Sequence, residues 1–128
     1  MIAGLRQLCA EREQRDELDI HLEINGERVV PPEVSACLYR ITQEAFENIL
    51  RHAQATRVIL SLGMVGKILE LSIQDDGKGF EYSLETPDDS MGIRGMQERA
   101  ALIGGTLDVS STPREGTKII FRKENPYD

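Results

Sequence analysis

The chain has 128 residues, of which 40% are hydrophobic and 29% are charged, and its formal net charge is −7. This length fits one globular domain with its own core, and the acidic balance argues against a nucleic-acid-binding surface, although a local loop can still bind phosphate. No apolar run approaches the ~20 residues that cross a bilayer, so we expect no membrane contact, and two cysteines without metal or redox spacing favour reduced thiols in a cytoplasmic protein.

The first half of the chain predicts a helix, a strand and a second, longer helix. Residues 2–18 have helical spacing, and residues 19–25 alternate apolar and polar side chains as a strand does. Two prolines favour the start of a helix near Pro32, and its apolar positions recur at helical spacing towards Ala53. The predicted core face of this helix consists of Val34, Leu38, Ile41, Ala45 and Ile49.

The second half predicts two hairpins, with a long loop and a helix between them. Alternating strands lie within residues 56–74, around a turn at Gly63–Gly66, and within residues 106–123. The polar residues 76–90 form the loop, and residues 91–105 form a helix that ends at two glycines. Strands joined mostly by hairpins favour a mixed, largely antiparallel sheet with helices on one face, which is a two-layer α/β sandwich.

The first candidate site lies on the long helix. Glu44, Asn48 and His52 are four residues apart and form one ridge beside the apolar stripe, with Arg51 next to it. A carboxylate and an amide at that place can both reach a metal ion or a phosphate. The alternative is a polar helix border with a half-buried histidine, whose charge suits the C-terminus of a helix.

The second candidate site follows a predicted strand directly. Asp75, Gly77 and Gly79 form the pattern D-x-G-x-G. A carboxylate accepts hydrogen bonds from an amino group, and glycines allow the backbone to approach a flat ring. The alternative is a strand-ending turn, because Asp-Asp-Gly is common in turns. If the segment is a site, we expect Asp76 to be a replaceable turn residue.

Two further segments are informative through their position in the chain. Gly92 and Gly95 lie where the long loop meets a helix, so backbone N–H groups there can bind phosphate, and the glycines also suit a hinge or a flexible loop. Gly116 and Thr117 place a small hydroxyl residue at the start of a strand, which is otherwise a routine turn exit. No single segment decides the function, but their order along the chain does.

The segments QEAFENILRHA, DDGKGF, MGIRGMQERA and REGTKIIF, in this order, resemble the ATP-binding catalytic domain of two-component sensor histidine kinases. Such domains share the Bergerat ATP-binding fold with the gyrase, Hsp90 and MutL ATPases. The resemblance covers nearly all of the chain from about Asp19 onward. The glycine segment is similar to the pattern G-[LI]-x-G-M-x-E-R of a subgroup that has a short ATP lid and a response regulator of the helix-turn-helix type.

The resemblance implies a site for ATP and Mg²⁺. Asn48 corresponds to the family's asparagine that coordinates a magnesium ion bridging the nucleotide phosphates. Arg51 falls where a lysine commonly faces the phosphates, and His52 falls where an aromatic residue or a histidine often lies against the nucleotide. Asp75 matches the aspartate that accepts a hydrogen bond from the adenine amino group, a donor that guanine does not present there.

The same resemblance assigns the glycine segments. Gly77 and Gly79 correspond to residues that shape the adenine pocket and the start of the ATP lid, which spans residues 76–91 and would close over ATP. Thr117 matches a threonine close to the adenine pocket. The second glycine box, near the phosphates, comprises Gly92, Ile93, Gly95 and Met96.

The role of Glu44 differs between branches of the superfamily. In the gyrase-like ATPases, a glutamate four residues before the asparagine activates water. In the kinases, an acidic residue beside the phosphoacceptor histidine usually acts as the base. We therefore expect Glu44 to organise the magnesium site or to act as a secondary base.

The resemblance further implies transfer of the γ-phosphoryl group of ATP to a histidine on a separate dimerisation domain, with a response regulator engaged through the parent kinase. Neither His21, in a predicted strand, nor His52, in the nucleotide motif, suits the acceptor role. We therefore interpret the chain as a fragment, with residues 1–18 as the tail of the dimerisation region, 19–125 as the catalytic domain and 126–128 as a C-terminal tail. Alone, it is expected to be monomeric and unable to autophosphorylate.

Three alternatives share the fold or the site. An ATPase of the gyrase, Hsp90 or MutL kind is favoured by Glu44, although such proteins usually have longer lids. An anti-sigma-factor serine kinase is naturally short, but the GIRGMQERA pattern argues against it. A nucleotide-sensing interaction module would bind ATP without transferring phosphate.

Overall fold

A computed structural model describes residues 2–16, 18–25, 30–53, 55–78, 92–124 and 126. Its helices and strands are α1 (Ile2–Asp16), β1 (Asp19–Asn25), α2 (Pro32–Asn48) with a π-helical extension (Ile49–Ala53), β2 (Arg57–Val65), β3 (Ile68–Asp75), α3 (Ile93–Leu102), β4 (Thr106–Ser111) and β5 (Thr117–Glu124).

The five strands form one mixed sheet in the order β1-β2-β3-β5-β4. The pair β1–β2 is parallel, and the other three pairs are antiparallel. The parallel pair arises because α2 carries the chain back across the sheet between β1 and β2, whereas β2–β3 and β4–β5 are hairpins. The predicted mixed, largely antiparallel sheet is confirmed.

One face of the sheet is apolar and buried. Leu60, Ile73 and Ile119 form a cross-strand row, and each of them is at most 6% exposed. The neighbouring row of Leu71 and Phe121 is buried in the same way. Because side chains alternate along a strand, the intervening residues form an opposite face, which is partly exposed and mixes polar side chains with a few isoleucines. The helices therefore cover one face, as the alternation predicts.

The core face predicted for α2 is confirmed. Val34, Leu38, Ile41, Ala45 and Ile49 are all buried, and they share one apolar cluster with the buried row of the sheet. Burial of each Val, Leu or Ile side chain among them stabilises the folded chain by roughly 1.5–3 kcal/mol.

The first helix belongs to the same core. Leu5 and Leu8 of α1 are buried in that cluster. At the other end of α1, Arg12 Nη2 donates a hydrogen bond to Glu47 Oε1 of α2 at 2.8 Å. The helix thus contacts α2 both through apolar packing and through an ion pair one residue before Asn48.

Two local predictions need correction. The β2–β3 turn lies at Gly66, which has φ 63°, while Gly63 is inside β2. A Cβ at Gly63 would lie 3.0 Å from the Asn25 Cβ, so the missing side chain permits close pairing with β1 rather than a turn. The long helix is also not α-helical to Ala53, because its last residues from Ile49 are π-helical.

Candidate functional site

Asp75 is the last residue of β3, and its side chain points to the buried face of the sheet. It pairs with Val58 in the register of β2 and β3, and it is 7% exposed. Its Oδ1 accepts a hydrogen bond from the N–H of Gly77 at 2.7 Å, and the carboxylate also accepts from the N–H of Thr117. Burial raises the pKa of Asp75, and these two N–H donors oppose that rise. Asp75 is therefore a buried carboxylate, and none of the described groups that shift its pKa is a cation.

Gly116 holds the start of β5 against this carboxylate. It has φ 82°, a conformation that favours glycine, and a Cβ there would overlap the Asp75 carbonyl oxygen. This close approach is what lets the N–H of Thr117 reach the Asp75 side chain. Sequence reasoning treated Gly116 as part of a turn exit and missed the contact, although its place just before Thr117 was a signal.

Thr117, at the start of β5, is half-buried, and its hydroxyl is fixed by a neighbour that sequence reasoning also missed. Its Oγ1 lies 2.9 Å from Ser111 Oγ, and Ser111 Oγ donates to the Gly116 carbonyl at 3.3 Å. Ser111 and Thr117 are directly opposite in the β4–β5 hairpin. That register, which follows from the short turn before Gly116, is the signal that would have found Ser111.

Asp76, expected to be a replaceable turn residue, has specific partners across the sheet. Its Oδ1 accepts hydrogen bonds from the N–H groups of Thr56 and Arg57, both at 2.9 Å, and its Oδ2 accepts from the Thr56 hydroxyl at 2.8 Å. The N–H of Arg57, followed by the two groups of Thr56, lowers the pKa of Asp76. The pKa values of these adjacent carboxyl groups are therefore shifted in opposite directions. Burial raises the pKa of Asp75, and hydrogen-bond donors near the protein surface lower the pKa of Asp76.

Asn48 and Glu44 lie one turn apart at the end of α2. Asn48 is buried and Glu44 is exposed. Gly92, which precedes α3, has φ 67°, and a Cβ there would lie 2.6 Å from Glu44 Oε1. The structure thus brings the end of α2 next to the start of α3, with the Glu44 carboxylate directly beside Gly92.

The π-helical segment changes the ridge predicted on this helix. Glu44 and Asn48 keep the α-helical spacing, but His52 follows the change of pitch, and its side chain lies outside the described part of the structure. Arg51 is 70% exposed, and its Nη2 lies 3.9 Å from Glu47 Oε2. Such π-helical turns occur frequently at functional sites.

The second glycine box divides between surface and core. Ile93 and Met96 of α3 are buried in the core, whereas Gly95 is exposed, and a Cβ added there would meet no described atom within 4 Å. Gly92 accepts a hydrogen bond from the N–H of Met96 and leaves the first N–H groups of α3 at the site edge. Gly79, and the lid predicted beyond Lys78, lie outside the described residues.

The site residues thus form two groups. The strand group consists of Asp75, Asp76, Gly77, Gly116 and Thr117, and the helix group consists of Glu44, Asn48, Arg51 and Gly92. Among the described residues, no set of three or more His, Cys, Asp or Glu side chains is arranged to hold a metal ion. In the same part of the chain, no helix is long and apolar enough to span a membrane.

Comparison with known proteins places the chain among ATPase domains. Residues 33–126 match the model of the histidine kinase-, DNA gyrase B- and HSP90-like ATPase family. The chain is 37% identical over 129 residues to sensor protein VraS of Staphylococcus aureus (98% of this chain, 37% of the relative), and 36% identical over 116 residues to sensor histidine kinase LiaS of Bacillus subtilis (91% and 32%). It spans about a third of the length of these relatives.

Solved structures share the fold. The histidine kinase domain of the blue-light activated histidine kinase from Erythrobacter litoralis superposes with a TM-score of 0.73 at 21% identity, covering 96% of this chain and 59% of that one. The mycobacterial sensor histidine kinase MprB gives a TM-score of 0.69 at 20% identity, covering 94% and 91%. At these identities the likeness establishes the fold alone.

Proposed function

The chain belongs to the histidine kinase-, DNA gyrase B- and HSP90-like ATPase family, and from this premise we propose that it is the ATP-binding catalytic domain of a sensor histidine kinase. The observation that carries the proposal is the buried Asp75 carboxylate at the exit of β3. The sensor kinase relatives match nearly the whole chain, which supports this choice within the family.

In this proposal, Asp75 reads the base of the nucleotide. A carboxylate has more acceptor positions than the N–H groups of Gly77 and Thr117 occupy, so it can accept a further hydrogen bond from an exocyclic amino group. Adenine offers that amino group, whereas guanine offers a carbonyl oxygen, which a buried carboxylate repels. The hydrogen bonds from the N–H groups of Gly77 and Thr117 hold the carboxylate in this orientation.

The helix group is assigned to the phosphates and to Mg²⁺. An amide oxygen on Asn48 and a carboxylate on Glu44, one helical turn apart, are hard oxygen donors that suit Mg²⁺, which retains much of its water and is commonly shared with nucleotide phosphates. The first N–H groups of α3 provide a site for a phosphate oxygen. The exposed Arg51 guanidinium can neutralise phosphate charge.

The domain then positions the γ-phosphoryl group for transfer. The bond between the γ-phosphorus and its bridging oxygen breaks, a bond to an imidazole nitrogen of the partner histidine forms, and ADP leaves with the bridging oxygen. The acceptor lies on a dimerisation domain of the parent kinase, and the response regulator is reached through that parent. We propose that this takes place in the cytoplasm, with residues 1–18 leading from the dimerisation region, 19–125 forming the catalytic domain and 126–128 its tail.

The experiment supplies the missing acceptor. The chain is mixed with a separately expressed helical dimerisation domain of a sensor kinase and with γ-labelled ATP. We expect acid-labile label on the added domain, and none on the chain alone. Titration of the chain with Mg-ATP by calorimetry, without the acceptor, tests binding separately. Binding without transfer to any sensor kinase acceptor would instead favour a nucleotide-sensing module.

Hydrolysis is the second candidate, because the contact between Glu44 and Gly92 places a carboxylate beside the proposed phosphate site. A gyrase-like ATPase would release phosphate without an acceptor domain, and Glu44→Gln would abolish that release. We expect phosphate release by the chain alone to be slow and to change little in Glu44→Gln.

A further inference from the structure

The three residues that leave β3 are held on two opposite sides. On one side, the Asp76 carboxylate accepts three hydrogen bonds from Thr56 and Arg57 at the start of β2, and the N–H of Asp76 donates to the Arg57 carbonyl at 3.2 Å. On the other side, the Lys78 carbonyl accepts a hydrogen bond from the N–H of Arg114 in the β4–β5 turn. The segment is therefore fixed to both neighbouring strand connections.

Gly77 lies between these two attachments. Its N–H donates to Asp75 Oδ1 at 2.7 Å. The direction of that N–H depends on the peptide that joins Asp76 to Gly77, and the Asp76 side chain ties this peptide to the start of β2. Loss of the Asp76 side-chain contacts would leave this end of the segment held to β2 only through the N–H of Asp76. The Gly77 peptide would then be less constrained, and the Asp75 carboxylate would be less well held by one of its two donors.

We propose that Asp76 is a positioning residue for nucleotide binding, which ties the exit of β3 to Thr56 and Arg57 and thereby sets the orientation of the Asp75 carboxylate. This inference rests on the proposed function. Asp76 does not itself contact the base, since both of its carboxylate oxygens face β2. For this role, the hydrogen-bond acceptors of the Asp76 side chain are required, whereas its negative charge is not.

Two substitutions at this position separate acceptors from charge. Asp76→Ala removes every side-chain acceptor, and we expect the Kd of Mg-ATP to rise about tenfold. Asp76→Asn keeps one carbonyl oxygen for the two N–H groups, and its amide can donate to the Thr56 hydroxyl, so we expect affinity within about threefold of the unsubstituted chain. Thr56→Val removes only the hydroxyl and gives an intermediate loss, which keeps the test valid if Asp76→Ala does not fold.

The measurement is calorimetric titration with Mg-ATP, together with circular dichroism at the same temperature. Destabilisation alone could raise the apparent Kd about tenfold only if roughly nine-tenths of the molecules were unfolded, which the spectrum would reveal. Asp108→Ala is the matched control, because it removes an exposed carboxylate of β4 that pairs loosely with Arg122.

The outcomes are distinct. Rescue by Asp76→Asn together with weak binding by a folded Asp76→Ala supports the proposal. Unchanged affinity in Asp76→Ala overturns it, and so does an Asp76→Asn variant that binds as weakly as Asp76→Ala, because charge would then be the cause. If the unsubstituted chain does not bind Mg-ATP, the proposed function fails, and the positioning role fails with it.

Discussion

At the exit of β3, the Asp75 carboxylate is buried and held by backbone N–H groups, whereas at the end of α2 the side chains of Glu44 and Arg51 are exposed to solvent. The strand group has its geometry fixed by the sheet register and by the close approach of Gly116. The helix group combines one buried amide with charged side chains that have freedom to move. Under the proposed function, the fixed geometry of the strand group suits a rigid, flat base. The adaptable side chains of the helix group suit phosphates and a metal ion, whose positions change during transfer.

The largest effect on stability is expected at Gly116, where the strand group is most closely packed. Gly116→Ala introduces a Cβ that overlaps the Asp75 carbonyl at a φ of 82°, so we expect the free energy of unfolding to fall by about 2–3 kcal/mol. Gly66→Ala is the control, because Gly66 also has positive φ but has nothing within 4 Å of a Cβ, so it should lose only about 1 kcal/mol. Equal losses in a urea titration would show that the contact at Gly116 is not close.

The next largest effect concerns the base-reading role proposed for Asp75. Asp75→Asn replaces one of the two acceptor oxygens with an amide nitrogen that can only donate, so we expect Mg-ATP affinity to fall at least about tenfold, or about 1.4 kcal/mol. Glu70→Gln is the control, since Glu70 pairs with Arg122 on the open face of the sheet at 2.9 Å and should leave affinity unchanged. An unchanged affinity in Asp75→Asn by calorimetry would remove the assignment.

The role proposed for the helix group is tested through the effect of Mg²⁺ on ATP binding. Asn48→Ala removes the amide oxygen proposed as a magnesium ligand, so we expect ATP affinity to become nearly independent of Mg²⁺, whereas the unsubstituted chain should bind ATP several-fold more tightly when Mg²⁺ is present. Gln74→Ala, which removes an exposed amide from the open face of the sheet, should keep the magnesium response. A magnesium response that persists in Asn48→Ala would place the metal elsewhere.

The smallest effect is a pH dependence that has opposite signs for stability and for binding. The pKa of Asp75 is raised above 3.8 by burial, so the folded chain retains this proton longer than the unfolded chain does, and Asp75 contributes stability below pH 3.8 that is lost as the pH rises through the raised pKa. Under the proposed function, ATP binding needs the ionised carboxylate, so we expect ATP affinity to rise over the same pH window. Titrations in that window should show both trends, and Asp75→Asn should remove both.

Asp76 is expected to change the stability with pH in the opposite direction. Its pKa is lowered below 3.8, so its contribution is present above that pH and is lost as the pH falls through the lowered value. The difference in unfolding free energy between the unsubstituted chain and Asp76→Asn should therefore shrink in acid. A difference that grows in acid would contradict the hydrogen bonds described for this carboxylate.

The alternation of apolar residues was sufficient to predict the sheet, because the same positions in β2, β3 and β5 are buried and share one face. The core face of α2 followed from helical spacing for the same reason. The site residues were predicted from motifs, and the structure brings Glu44 next to Gly92 and Asp75 next to Thr117.

The partners of Asp76 could not be predicted, because Thr56 lies far away along the chain and meets it only through the register of β2 and β3. The π-helical turn after Asn48 has no signal in local spacing either, since ILRHA continues the helical pattern. Gly63 was misjudged because glycine in a strand and glycine in a turn look alike until the approach of Asn25 is known. For Asp76 and for Gly63 the deciding contact is tertiary.

The parallel pairing of β1 with β2 has a consequence for the order in which the chain folds. The two hairpins join neighbouring segments and can form within microseconds, but the residues paired between β1 and β2 flank the whole of α2. Closure of so long a connection is slower than closure of a hairpin. The pairing of β3 with β5 closes a still longer connection, since Gln74 pairs with Lys118 whereas Ile20 pairs with Val58. We therefore expect the two hairpins to form first and the strand group, which needs both β3 and β5, to be completed only when the hairpins pair.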